Sequence, residues 1–120
     1  MNKTVDLSVS NYGITRRNNC QLVVLPWGAT EQHNYHLPYL TDCILSHDIA
    51  VDAAQRLLDV HGLHAMVMPP ITMGSQNQGQ RSLPFCVHTR YETQKAILTD
   101  IVDSLYHQGF RKLVMVNGHG

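Results

Sequence analysis

The sequence predicts an α/β protein built around a short parallel sheet. Three apolar runs, at residues 21–25, 65–68 and 113–116, lack the alternation of half-exposed strands and are typical of strands buried on both faces. Helical periodicity lies between the first and second runs and again between the second and third. Because connections of this length join parallel strands by crossovers, this order of strands and helices indicates parallel pairing.

The first half of the chain supplies the first strand and the longer helix. Residues 1–19 are polar and predict an irregular or edge segment. The strand at residues 21–25 is expected to end at Pro26. A helix is predicted over residues 42–61, where apolar residues share one face and Gly62 supplies the stop. The apolar face consists of Ala50, Ala53, Ala54, Leu57 and Leu58.

The second strand, at residues 65–68, is followed by a long segment without periodicity. About twenty residues, 69–88, are rich in Gly, Gln, Ser and Pro, and structureless loops of that length are usually lids or binding loops. A hairpin within this segment is the alternative. Thr89 and Glu92 form a capping-box pattern at the start of the second helix, whose apolar stripe precedes Gly109. The stripe is formed by Ile97, Leu98, Ile101, Val102 and Leu105.

Composition and charge exclude several classes of protein. The chain has 120 residues, a length that predicts one domain over residues 1–120. Nine Lys and Arg balance nine Asp and Glu, so the chain lacks the basic surface that binds nucleic acids or anionic membranes. No apolar run could span a bilayer and the N-terminus lacks a secretory signal, so we expect a cytoplasmic protein. Three cysteines without Cys-x-x-Cys spacing indicate neither a disulfide framework nor a thiolate zinc site. The sequence also contains no nucleophile-elbow, dinucleotide-binding or phosphate-loop motif.

Candidate ligand side chains follow the strands at the edge where parallel sheets bind ligands. Glu31, His33 and His36 come after the first strand. Asp42 opens the first helix, and His119 follows the third strand. In open parallel sheets, ligands bind beyond the carboxyl ends of the strands. These side chains are therefore expected to converge at one end of the sheet.

Glu31, His33 and Asp42 have the chemistry and spacing of transition-metal ligands. Residues two apart in an extended segment share a face, so Glu31 and His33 can approach one ion or two neighbouring ions. Mixed imidazole and carboxylate donors suit zinc, manganese or ferrous iron. A carboxylate such as Asp42 can bridge two ions, but an acidic residue in a first turn also caps a helix and complements its dipole.

The histidines also have structural alternatives. On spacing alone, a loop histidine such as His33 or His36 is more often a surface or hydrogen-bonding residue than a ligand. His119 follows Asn117-Gly118, a pair that often marks a hairpin turn. The unbroken apolar run before this pair favours a parallel strand that leads into a site loop.

Several motifs together resemble the creatininase (creatinine amidohydrolase) family. They are Gly28-Ala29-Thr30-Glu31-Gln32-His33, then Asp42, and Asn117-Gly118-His119 after the last strand. The resemblance implies a three-layer α/β/α fold, a dinuclear site for zinc, manganese or iron, a small-molecule substrate and homo-oligomers, commonly hexamers. By position it implies metal-ligand roles for Glu31, His33, Asp42 and His119. It also implies that Asp42 bridges the two ions and that His36 lies close to the site, where it orients a ligand or the substrate. Either His36 or a residue beyond Gly120 is the candidate catalytic group that passes a proton to the leaving nitrogen.

The chain departs from the family pattern in several places. Asn34-Tyr35 replaces a common Gly-Pro, and Leu83-Pro84-Phe85-Cys86 stands where many members have Phe-Pro-Gly-Thr, so we expect a different substrate-facing wall. Gly120 stands where creatininase continues with Tyr-Glu, in which the Glu is a metal ligand. Because family members are considerably longer, residues 1–120 are expected to be the N-terminal part of the fold, with a remaining ligand beyond them.

The expected activity is metal-dependent hydrolysis of a C–N bond in a cyclic amide or a related small molecule. Formamide hydrolysis and ring opening of an oxidised cyclitol, which other members of the family catalyse, are alternatives. A binding or assembly module with a vestigial metal site is an alternative of another class. Ser75 and Gln78, in the loop at residues 75–80, are candidates for hydrogen bonding to the substrate.

Overall fold

The computed structural model describes residues 2–17 and 19–120, and its elements follow the predicted order. Met1 and Asn18, which belong to the segment predicted to be irregular, lie outside the described residues. The elements are a 3-10 helix at Leu7–Val9, α1 at Tyr12–Thr15, β1 at Leu22–Trp27, α2 at Thr41–His61, β2 at Ala65–Val67, α3 at Tyr91–His107 and β3 at Leu113–Asn117. Within the described part of the chain, no helix is long and apolar enough to cross a membrane.

β1 forms the centre of the sheet, with β2 on one side and β3 on the other. Both pairings are parallel, and Val24 lies opposite Val67 of β2 and Val114 of β3. The predicted parallel α/β architecture is therefore confirmed. Because the strands run in one direction, the segments that follow β1 and β3 leave the sheet at the same edge.

β1 extends further than the sequence predicted. The strand was expected to end at Pro26, yet Pro26 pairs with Val116 and Trp27 pairs with Asn117. Proline lacks the N–H of a ladder bond. The loss is small here, because Pro26 lies near the end of the strand and its carbonyl oxygen accepts a hydrogen bond of 3.0 Å from the amide of Ile71.

α2 packs against β1 and β2 and, together with them, supplies most of the core. Gly62 ends α2 in a left-handed conformation with φ at 65°, and its amide donates to the carbonyl of Leu58. The predicted glycine stop is therefore confirmed. The core cluster consists of Val5, Val24, Ala50, Ala54, Ala65 and Val67.

The N-terminal segment pairs at the edge of the sheet and also contributes to the core. Val5 is fully buried, and Asp6 forms a parallel bridge to Val67 of β2. The carboxylate of Asp6 also accepts a hydrogen bond of 3.0 Å from Nε2 of His47, which fixes the segment to α2. A single buried valine produces no periodicity in a sequence, so this contribution to the core was not predicted.

The predicted capping box at the start of α3 is wrong. The helix begins at Tyr91, and its N-cap residue, Arg90, makes no side-chain cap bond. Thr89 is paired with the preceding loop, because its amide donates to the carbonyl of Gly74 and its own carbonyl accepts from the hydroxyl of Ser75. This pairing keeps Thr89 outside the N-cap position.

The segment at residues 69–88, all of which the structure describes, contains no helix or named strand. An isolated parallel bridge between Gly74 and His88 joins its two halves. The bridge is parallel, whereas a hairpin would require antiparallel pairing. The predicted long loop is therefore observed, and the alternative hairpin is not.

Candidate metal centre

Four polar side chains meet at the carboxyl edge of the sheet. Glu31 and His33 lie in the segment that follows β1. Asp42 lies in the first turn of α2, and His119 follows the end of β3. The structure thus brings together residues from three separate parts of the chain.

The two histidines and two carboxylates form a compact cluster. Nε2 of His33 lies 2.9 Å from Oδ1 of Asp42 and 3.8 Å from Oε1 of Glu31. Nδ1 of His119 lies 3.0 Å from Oε1 of Glu31 and 3.2 Å from Oδ2 of Asp42. Both carboxylates are buried, with Glu31 7% and Asp42 8% exposed. Ligand atoms of Glu31, His33 and Asp42 lie within 4.8 Å of one another, which is close enough for a shared ion.

Two glycines let the first turn of α2 approach the strand ends. A Cβ at Gly28 would lie 2.6 Å from Sγ of Cys43, and a Cβ at Gly118 would lie 2.5 Å from the carbonyl oxygen of Asp42. Real Cβ atoms essentially never come this close to another heavy atom. The hydroxyl of Ser46 then donates to the same carbonyl of Asp42 at 2.8 Å. Glycine at both positions therefore allows Asp42 to reach the side chains that follow β1 and β3.

Backbone hydrogen bonds hold the segment that carries Glu31 between two other loops. The amide of Glu31 donates to the carbonyl of Tyr39 at 3.2 Å. On the other side, the carbonyl of Thr30 accepts a hydrogen bond of 3.0 Å from the amide of Val87. The amide of Gln32 also lies 3.2 Å from Sγ of Cys86. The position of Glu31 is therefore set by loops that are distant in sequence.

Backbone carbonyls determine which nitrogen of each histidine faces the carboxylates. Nε2 of His119 lies 2.5 Å from the carbonyl oxygen of Ser75, and Nδ1 of His33 lies 3.3 Å from the carbonyl oxygen of Glu31. Because a carbonyl only accepts, these two nitrogens carry the hydrogen in neutral histidine. The other nitrogen of each ring faces the carboxylates with a lone pair, which is the arrangement typical of histidine ligands of metals.

In the metal-free cluster, the pKa values of Glu31 and His119 are both raised. Burial raises the pKa of Glu31, and its hydrogen bond with Asp42 raises it further, against the opposing effect of the histidines. Burial acts to lower the pKa of His119, but the carbonyl of Ser75 and the two carboxylates outweigh this effect, so that the pKa is raised. Both shifts favour the protonated form, which is neutral for Glu31 and positively charged for His119. Either form reduces the repulsion between the two neighbouring carboxylates.

The donor set fits divalent transition-metal ions. Imidazole nitrogen with carboxylate oxygen suits zinc, manganese or iron, whereas calcium prefers oxygen alone. The oxygens of Asp42 face different histidines, with Oδ1 next to His33 and Oδ2 next to His119. A carboxylate in this position can connect two ions.

The other predicted site residues lie outside this cluster. His36 is exposed in a turn. Ser75 contributes its backbone carbonyl to His119, whereas its hydroxyl donates to the carbonyl of Thr89 at 2.9 Å. Gln78 is exposed in the long loop. The roles of His36, Ser75 and Gln78 in catalysis or substrate binding stay predictions.

Sequence reasoning missed two groups next to the cluster. The backbone carbonyl of Ser75 was missed, because a carbonyl carries no signal in the sequence. Gln76 was also missed, although its side chain is buried while its neighbours at residues 75 and 77 are exposed. The loop has no periodicity, so nothing in its sequence distinguishes the buried glutamine from the exposed ones.

Comparison with known proteins identifies the family of the chain. The family model Creatininase, described as creatinine amidohydrolase, matches residues 10–120. The creatinine amidohydrolase of Pseudomonas putida is 30% identical over 102 residues, which are 82% of this chain and 37% of that protein. The 3-dehydro-scyllo-inosose hydrolase of Thermotoga maritima is 28% identical over 105 residues, which are 88% of this chain and 32% of that protein. The chain therefore spans about a third of the length of these relatives.

Solved structures show the same fold. A Bacteroides fragilis protein whose assignment as a creatinine amidohydrolase is provisional is 62% identical, with a TM-score of 0.99, and the match covers all of this chain and 47% of that one. A manganese creatininase is 28% identical, with a TM-score of 0.81, and covers 98% of this chain and 46% of that one. Related structures include a Zn–Zn form and a complex with creatine, both of mutant creatininases. Since the family model matches most of the chain and the fold agrees with these structures, the chain belongs to the creatininase family.

Proposed function

We propose that the protein is a metal-dependent hydrolase that cleaves a C–N bond in a cyclic amide or a related small molecule. The observation that carries this proposal is the contact of Asp42 with both histidines, at 2.9 Å to His33 and 3.2 Å to His119. The family membership supports hydrolysis, because the matched relatives from Pseudomonas putida and Thermotoga maritima are both hydrolases.

Glu31, His33, Asp42 and His119 would hold two divalent ions, with Asp42 between them. Zinc is our first candidate, with manganese and iron as alternatives, since the donors are mixed nitrogen and oxygen. Solved manganese and Zn–Zn creatininases support a divalent metal in this fold. Bound to these side chains, such ions lower the pKa of water towards neutrality and polarise the bond under attack.

Residues of the chain would hold the ions, transfer protons and contact the substrate. Burial of Glu31 and Asp42 keeps bulk water from competing with the carboxylates for the ions. His36 is our candidate for transfer of a proton to the leaving nitrogen, because histidine is the side chain most often used for this step and His36 lies in the segment that carries Glu31 and His33. Ser75 and Gln78 stay candidates for contact with the substrate.

Two further substrate classes, of which only the first contains a C–N bond, are alternatives for metal-dependent hydrolysis at this site. A formamide offers the same C–N bond without a ring. An oxidised cyclitol is favoured by the similarity to the inosose hydrolase of Thermotoga maritima. Residues 83–86 depart from the common family segment, so we expect the substrate-facing wall to differ from that of creatininase. This difference is the reason for keeping both substrate classes as alternatives to creatinine.

A homo-oligomer, with six copies as in many family members, is the assembly that we propose. Apolar side chains on the outer face of α2 support it, because Ile44, Leu45 and Ile49 are 49%, 55% and 52% exposed. Large exposed apolar patches usually mark interaction surfaces. Light scattering of the purified protein would test this assembly, and a monomer would contradict it.

The proposed function is tested by metal analysis and by hydrolysis assays on Asp42→Asn. Asparagine keeps the shape of Asp42 but removes the charge, so we expect loss of bound metal and of turnover with creatinine, a formamide and an oxidised cyclitol. Asp48→Asn is the matched control, because Asp48 lies on the same helix with a side chain that is 71% exposed. Wild-type protein that hydrolyses its substrate equally well after chelation would contradict metal catalysis. Protein that binds metal but cleaves none of the three would indicate a binding module.

A further inference from the structure

Gln76 has a buried side chain whose hydrogen-bonding groups are unpaired. The residue is 5% exposed, and neither Nε2 nor Oε1 has a hydrogen-bond partner among the described residues. Exchange of the two atoms does not alter this, because both are unpaired. An unsatisfied buried polar group destabilises the fold that contains it. A carboxamide in this state is expected to meet its partner in a ligand-bound form of the protein.

The backbone of Gln76 lies next to the metal cluster. A Cβ at Gly74 would lie 3.0 Å from Cδ2 of His119, so that face of the loop meets the histidine ring. Gln76 lies two residues after Gly74, and an alternating course of the side chains would put it on the same face. Ser75 faces the other way, because its hydroxyl bonds to Thr89 and Gln94 at the start of α3.

Hydrogen bonds fix the backbone of Gln76 in this position. Its amide donates to Nδ1 of His88 at 2.9 Å. The carbonyl of the preceding residue, Ser75, accepts from Nε2 of His119 at 2.5 Å. The loop is thus held on both sides of the peptide that precedes Gln76, while residues 77–79 are exposed.

We propose that Gln76 determines substrate specificity by pairing with a hydrogen-bond donor and an acceptor that lie side by side on the edge of a planar cyclic substrate. A carboxamide presents one acceptor and one donor at the same end, which matches the edge of a lactam, a ureide or a cyclic acylguanidine. An oxidised cyclitol offers hydroxyl and ketone groups, which can also pair with Gln76 but lack the fixed planar donor and acceptor edge of a cyclic amide. This proposal rests on the proposed function and selects the cyclic amide class among its substrates.

Gln76→Leu separates this role from a structural one. Removal of an unpaired buried amide by an apolar side chain of similar size is neutral or stabilising for a fold. The melting temperature and the metal content of Gln76→Leu should therefore equal or exceed those of wild type. Binding of the substrate should weaken, because sites built to hydrogen-bond a polar group discriminate strongly through it.

The experiment uses creatinine as the probe and measures its binding by calorimetry to the metal-loaded protein, followed by kcat and KM. We expect Gln76→Leu to weaken binding and raise KM at least tenfold, with metal content unchanged. Gln108→Leu is the control, since Gln108 is an exposed glutamine at the end of α3. Equal binding of creatinine by wild type and Gln76→Leu, or no binding by wild type, would overturn the proposal. If wild type binds creatinine more tightly than the variant without hydrolysing it, the specificity role stands and the proposed hydrolysis fails.

Discussion

Oδ2 of Asp42 lies 3.2 Å from Nδ1 of His119, although 77 positions separate the two residues in the chain. The contact joins the first turn of α2 to the segment that follows β3. It forms because parallel strands deliver the residues after them to one edge of the sheet, where the start of α2 also lies. The candidate metal centre therefore depends on the packing of α2 against the end of β3.

Gly118→Ala is expected to damage this packing. The new Cβ would lie 2.5 Å from the carbonyl oxygen of Asp42 and 3.2 Å from Cβ of Ser46, so α2 or β3 has to move. Overpacking of this kind costs about 1–3 kcal/mol. Thermal unfolding should show a lower melting temperature, and metal analysis should show weaker retention of metal.

Gly79→Ala is the matched control for Gly118→Ala. A Cβ at Gly79 would meet only Oδ1 of Asn77, at 3.6 Å, which is ordinary contact. Its stability and metal content should equal those of wild type. If Gly118→Ala behaved in the same way, the close approach of α2 to Gly118 would not be needed for the site.

The sheet and its helices could be predicted because they depend on local patterns. The runs of apolar residues in β1, β2 and β3 are visible in the sequence, and Gly62 ends α2 where a left-handed residue is needed. The N-terminal contact could not be predicted. Val5 stands alone in a polar stretch, and its burial depends on pairing of the next residue with β2, which lies far along the chain.

The positions of the candidate ligands were predictable, but the surroundings of the ligands were not. Glu31 and His119 follow strands, and the order of strands and helices is sufficient to place them at one edge. The tautomer of His119 depends on a carbonyl of Ser75, and the burial of Gln76 depends on the bridge between Gly74 and His88. The first contact joins a side chain that follows β3 to the long loop, and the second joins the two halves of that loop, whose sequence lacks periodicity.

Stabilisation by metal should increase as the pH rises. In the metal-free fold the pKa of Glu31 lies above its ordinary value, mainly because of burial, and the pKa of His119 is also raised. For both groups the fold favours the protonated form, so stability without metal is lost as pH rises from the ordinary pKa of each group through the raised one. Metal ions require the deprotonated ligands and bind better over the same interval.

The pH dependence is measured as the difference in melting temperature between zinc-loaded and chelator-treated protein from pH 5 to pH 8. We expect this difference to grow with pH. Glu31→Gln, which cannot titrate, should reduce the loss of stability of the metal-free protein in the acidic part of the range. A difference that is constant or falls with pH would contradict the assignment of the cluster as a metal site.

At position 85, a glycine variant should be more stable than an alanine variant, whereas alanine is the more stable at most positions. The backbone of Phe85 is in the left-handed region, with φ at 63°. The residue is 81% exposed, and its ring meets that of Tyr39 edge to face with 6.3 Å between the ring centroids. This conformation costs a residue with a Cβ about 1–2 kcal/mol, whereas glycine adopts it freely. Phe85→Gly and Phe85→Ala both remove the ring, so the difference between their stabilities reports the backbone conformation alone. Phe85→Gly should be the more stable by about 1 kcal/mol.

Val87, which is 40% exposed and does not have a positive φ, is the control position. At this position Val87→Ala should be more stable than Val87→Gly. Chemical denaturation of the four variants measures both differences. If the alanine variant were the more stable at position 85 as well as at position 87, Phe85 would bear no backbone strain.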